Sequence, residues 1–282
     1  LKPGCLPVSA CGSPDQVTQP LRRIAMNLKN ESYISSSIRT SYARLPCQAF
    51  WTWFTGKELA GRTASRSIST LEPLFWSLAL LLGGIGGSIA VLACPLNYAW
   101  LVLTMVSTVS GARYIVATII HHGVHAAVFR SERANRIVCE ILSTALIVQP
   151  FDSYRRFHVY EHHGKDFSTM NDQDLAAIYT LGLRPGVPVA RLKLTLAWQC
   201  MNPLFHLRFL FGRIKCNLVS VPPYRFAMTV VWFAVLSAVV VVLDVSVFII
   251  SIALPLTVLY QICSLLHLVT EHAWVLRGAG QS

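Results

Sequence analysis

Residues 73 to 112 contain no Lys, Arg, Asp or Glu, and residues 226 to 266 contain only Asp244. A helix needs about 20 apolar residues to cross about 30 Å of hydrocarbon, so each run of about forty holds two crossings. The pattern predicts four transmembrane helices, at about Pro73 to Cys94, Leu96 to Arg113, Phe226 to Leu243 and Val245 to Leu266. Pro95 ends the first, and the glycine-rich stretch from Gly83 to Gly87 lets a neighbouring helix approach closely. Arg113 can snorkel to the interface while its helix continues through Tyr114 to His125 beyond the membrane.

Between the two hairpins the pattern changes. The apolar stretch Ile137 to Val148, closed by Pro150, is too short to span and predicts an interfacial or re-entrant helix. Residues 190 to 213 set Arg191, Lys193, Arg208 and Arg213 among Leu, Trp and Phe, a helical and amphipathic pattern. Residues 26 to 70 are polar and basic, with Trp51 and Trp53 beside Phe50 and Phe54, which suits a segment at headgroup level. Two regions follow: a basic N-terminal segment, 1–70, and a four-span domain, 71–282, with an insert at 114–225. Within the first, Met26 reads as a more natural start than Leu1, which makes 1–25 an extension.

Composition sharpens this into an all-α integral membrane fold. Hydrophobic residues make up 54% and charged residues 13%, against about 25% charged in soluble domains. The net charge of +11 is confined to the segments flanking the apolar runs: nine Lys and Arg precede residue 72, fourteen lie from Arg113 to Arg225, and the hairpin tips have none. By the positive-inside rule both termini and the insert face the cytoplasm, and the basic surface meets anionic lipid rather than nucleic acid. Eight cysteines never reach CxxC spacing, so free thiols are expected in place of a zinc ribbon or redox pair.

The chemistry lies in the histidines. His121 with His125 and His158 with His162 stand four apart, the spacing that shares a helical face; so do Asn202 with His206 and His267 with Glu271, which His272 follows. Each group begins near the cytoplasmic end of a predicted apolar segment, so all can meet in one layer below the membrane. The pool of ligands is His121, His125, His158, His162, His163, Asn202, His206, His267, Glu271 and His272. One tetrahedral zinc would use three or four of these, whereas two ions of higher coordination would use most. A nitrogen-rich set without thiolate suits iron that binds oxygen, so two irons are expected. His122 points about 100° away from His121 around the helix and is expected to support the site rather than ligate.

In these boxes the sequence resembles the membrane fatty acid desaturases and the related alkane and sterol hydroxylases. The matching residues are His121-His122-Gly123-Val124-His125, His158-Val159-Tyr160-Glu161-His162-His163, Asn202 with His206, and His267 to His272, within about residues 70 to 275. The resemblance implies four spans, a cytoplasmic helical cap carrying a di-iron site, O2 as co-substrate, and desaturation of a fatty acyl chain. Hydroxylation of an aliphatic chain by the same ligand set is the alternative. Two departures stand out: Glu271 replaces the first histidine of the third box's pair, leaving one iron with a carboxylate ligand or one ligand fewer, and relatives usually continue into a longer tail.

Two other classes compete. His158-Val159-Tyr160-Glu161-His162 also spells the HxxEH of an inverted zinc protease, which would leave the clusters at 121 and 267 unused. A metal carrier would want ligands along its spans, where residues 73 to 112 offer no charged group or histidine. With no haem-ligating HPGG, ferredoxin-like cysteine set or GxGxxG fingerprint in the chain, reductant must come from a separate ferredoxin, rubredoxin or b-type cytochrome docking on the basic face. Arg155 and Arg156, just before the second box, are candidates for holding a substrate headgroup.

Overall fold

A computed structural model describes residues 71–94, 97–166, 171–184 and 186–271, with residues 47, 69 and 169. The expected N-terminal segment with Trp51 and Trp53 lies almost wholly outside the described residues, as do His272 and the side chain of Glu271. The chain divides into compact units at 1–68 and 69–282. The second unit is all helix among its described residues, and four of its helices are long and apolar enough to cross a bilayer.

These four are α1 (Leu71–Ala93), α2 (Ala99–Val124), α8 (Pro223–Leu243) and α9 (Val245–Thr270). Between them lie α3 (Glu132–Ala145), α4 (Phe151–Arg155), α5 (Gln173–Thr180), α6 (Val189–Met201) and α7 (Pro203–Leu218). The helix α4 widens directly into a π-helix, Arg156–Asp166.

Small residues bring α1 and α2 together as an antiparallel pair. A Cβ added at Gly84 would strike the backbone of Thr108, and one at Gly111 would strike the backbone of Leu81. Two hydrogen bonds cross this seam, from Ser88 Oγ to Thr104 Oγ1 at 2.8 Å and from Ser107 Oγ to the Leu80 carbonyl at 2.9 Å. Close backbone approach is how helices associate where lipid removes the hydrophobic drive. Gly83 and Gly86 face open space, so only half of the glycine stretch serves this contact.

Beyond its apolar run α2 continues, through a π-helical stretch at Ile115–Ile120, as far as the first histidine box. There Ile115, Ile119, Ile120 and Val124 pack with Cys139, Leu142 and Leu146 of the α3 segment and with Phe151 at the start of α4. This core fixes box one against box two. Ser131 caps α3, and Asn135, fully buried, accepts from Phe129 N and donates to the Phe129 and Ser131 carbonyls, which shapes the turn before it. At its other end Arg213 of α7 donates to the carbonyls of Leu146, Ile147 and Leu256.

A second tie joins α3 to α8. Arg225 Nη1 donates to Glu140 Oε2 at 2.5 Å, Asn217 Oδ1 accepts from the same guanidinium, and Tyr224 OH donates to Glu140 Oε1 at 3.1 Å. Arg225 is 0% exposed and Glu140 5%, so the pair is desolvated.

The stretch 190–213, expected to be helical, forms two helices, α6 and α7, which meet at Asn202–Pro203. Asn202 takes an extended conformation and its Oδ1 accepts from Leu204 N at 3.0 Å, while Pro203 supplies the first turn without an amide to lose.

Candidate metal centre

Box one reaches the site from the end of α2, whose helix ends at His125 and Ala126, the latter at φ 56°. Box two lies in the π-helix Arg156–Asp166. A π-helix closes i→i+5 bonds and is frequently found at functional sites. It alters which residues meet: His158 Nε2 lies 3.1 Å from His163 Nε2, five residues on, and 3.4 Å from His121 Nε2. The α-helical spacing that pairs His158 with His162 therefore describes only part of the contact; those two rings stack with centroids 5.5 Å apart.

Four imidazoles, His121, His125, His158 and His163, each present one nitrogen within 4.8 Å of all the others. Burial, reinforced by the neighbouring imidazoles of His121, His163, His125 and His162, pushes the His158 pKa far down. Burial, followed by His122 and Arg155, lowers that of His125. Both rings are accordingly neutral at pH 7, the form that binds a metal. Where ring nitrogens face each other about 3 Å apart, either one carries a proton and donates to the other or both turn their lone pairs to a shared cation. The donor set fits an ion that prefers nitrogen ligands, iron included.

His162 turns to a different partner. Its Nδ1 lies 2.9 Å from Asp172 Oδ2 and 3.9 Å from Asp174 Oδ2. A carboxylate only accepts, so Nδ1 carries the proton and Nε2 is the nitrogen left for a metal. Asp172 is also the N-cap of α5, its Oδ1 accepting from Asp174 N at 3.0 Å. Sequence reasoning centred on the histidines missed both aspartates. The signal was there, in an Asp-Gln-Asp opening a helix soon after box two.

The remaining candidates divide. His267 lines the same cavity as His121, His158 and Asp174. Asn202 is engaged as a helix cap, and His206 donates from Nε2 to the Cys200 carbonyl at 2.9 Å; neither joins the two groups above. His206 Nδ1 is nonetheless buried without a partner. His122, as the sequence suggests, stays out of the four-histidine cluster, its ring packed edge-on against His121. Arg155 is engaged by Glu132 at 2.5 Å, and Arg156 is exposed with Glu161 3.9 Å away.

Apolar residues of α2, α5 and α9 wall a cavity of about 310 Å³ beside this cluster, with Arg113, Gln149, Tyr154 and Ser264 as polar points. Four bilayer-length helices with a histidine cluster beneath an apolar cavity define a helical membrane protein equipped to hold metal. A profile of the fatty acid desaturase family matches residues 97–281, well over half of the chain, which takes in all three histidine boxes and the cavity. The chain belongs to the fatty acid desaturase family. No curated protein and no solved structure matches it.

Proposed function

We propose that the protein is a di-iron, oxygen-dependent desaturase of fatty acyl chains. The observation that carries this reading is the four-imidazole cluster at the wall of an apolar cavity, in a chain of this family. His121, His125, His158 and His163 would hold one iron, with His162, oriented by Asp172, and His267 toward a second. Bound there, the irons would supply oxygen activation strong enough to remove hydrogen from an unactivated C–H bond.

The chain's own residues position the reaction. Val116, Ala117 and Ile120 of α2 and Leu265 and Leu268 of α9 give the cavity apolar walls that align an aliphatic chain past His121 and His158 and exclude water. Asp172 keeps the His162 proton on Nδ1. A zinc protease would need Glu161 beside an ion shared by His158 and His162; Glu161 instead faces Arg156, and His158 meets His163. The basic segments between the apolar runs support a cytoplasmic site, with both termini on that side and a separate acidic electron donor docking there.

Expression in a host with its own donors, followed by iron analysis and mass spectrometry of the lipids, tests the reading. Two irons per chain and acyl chains lighter by two hydrogens are expected. Gain of an oxygen would make it the hydroxylase, and one zinc with unaltered lipids would sink it.

A further inference from the structure

Arg113 meets no carboxylate among the described residues and, unlike Arg213, engages only one of its three guanidinium nitrogens. Arg136, Arg155 and Arg225 each meet a carboxylate, and Arg213 donates to three carbonyls. The partners of Arg113 are neutral. Its Nη1 donates to Ser264 Oγ at 3.0 Å and lies 3.5 Å from Tyr260 OH, and its guanidinium sits 5.4 Å from the Tyr260 ring centroid. Among the described residues Nε and Nη2 have no partner. At the end of its apolar run a guanidinium can turn its open donors to interfacial water or to a ligand, and ionisable residues in such segments mark ligand paths.

The open donors belong to a side chain that lines the cavity of about 310 Å³, on the helix face that also carries His121. That volume is at the small end of ligand sites, enough for an aliphatic chain and too small for a nucleotide-sized carrier. The planar fork of arginine matches a carboxylate with two parallel hydrogen bonds. Eight residues, six of them in the wider π-helical stretch with its smaller rise, put Arg113 on the order of 10 Å from His121 along the axis, so an acid held there meets the histidines well along its chain.

We infer that Arg113 anchors the free carboxylate of the substrate, so that the cavity takes an unesterified fatty acid in preference to a hydrocarbon, an alcohol or a carrier-bound acyl group. The inference rests on the proposed function for the cavity being the substrate site.

The test measures binding of radiolabelled dodecanoate and dodecanol to the full-length, iron-loaded protein in nonionic detergent, with iron content determined on the same samples. The unaltered protein should prefer dodecanoate by about tenfold or more. Arg113→Gln should lose that preference while dodecanol affinity stays within about twofold, and Arg156→Gln should keep it. In the unaltered protein dodecanoate, but not dodecanol, should protect Arg113 from phenylglyoxal, which settles the matter even where Arg113→Gln fails to fold. Equal affinities, a preference that survives Arg113→Gln or is lost instead in Arg156→Gln, or unprotected Arg113 would overturn the inference. A preference in a chain that holds zinc and no iron would overturn the desaturase reading and leave the anchor standing.

Discussion

His162 donates its Nδ1 proton to Asp172 Oδ2 over 2.9 Å, and both side chains are fully buried. The bond fixes the ring's tautomer and raises the basicity of Nε2. Asp172→Ala should therefore lower iron affinity by roughly 10- to 100-fold, measured by chelator competition, with helix content unchanged. Asp172→Asn, which can still offer an oxygen, should lose less. Equal affinity in all three proteins would show that His162 does not bind metal.

The π-turn of box two brings His163 into the four-imidazole cluster, and His122 of box one stays outside it. His163→Ala removes one of four converging nitrogens and should release iron, whereas His122→Ala should keep it. Metal analysis of the purified variants checks this, and full iron in His163→Ala would mean that His163 does not converge on His158 in the protein.

Gly123 within box one packs directly on Cys139 Sγ, leaving no room for a side chain. Gly123→Ala should destabilise the protein by about 1–3 kcal/mol through overpacking. Combining it with Cys139→Ala frees the volume of the sulfur, so the double variant should recover most of the loss. Thermal unfolding of the four proteins measures the coupling; additive losses would refute the contact.

Glu140 is desolvated against Arg225. Removing one member leaves a buried charge unpaired, so Glu140→Ala should cost about 3–5 kcal/mol, and Glu140→Gln, which still accepts hydrogen bonds, should cost less. Denaturant unfolding in detergent is the measurement. A loss below that of an average surface substitution would mean that water reaches Arg225.

Burial, with the Glu140 carboxylate adding to it, pushes the Cys139 thiol up to about 12. At pH 8 only about one part in ten thousand is thiolate, the reactive form, and the fraction rises tenfold per pH unit. In single-cysteine variants, maleimide should label exposed Cys94 within minutes and leave Cys139 unlabelled until the protein unfolds. Rapid labelling of Cys139 in the folded protein would show that α3 detaches from α2.

The sequence by itself determined the four spans, because crossing a bilayer depends on length and apolar content, both of which are local quantities. It also displayed His121, His125, His158 and His163 as candidates, because their spacing is visible without a fold. What it could not determine was which of them meet. The π-helix replaces an i, i+4 relation by an i, i+5 one between His158 and His163, and nothing in side-chain spacing announces that change of backbone hydrogen bonding. That Asn202 Oδ1 also caps α7 shows only once the chain breaks before Pro203. Asp172 turns toward His162 only once α5 folds back on box two, and Arg113 shows its lack of an acid partner only when α2 and α9 are packed around it. These relations depend on distances between segments far apart in the chain, which tertiary packing alone decides.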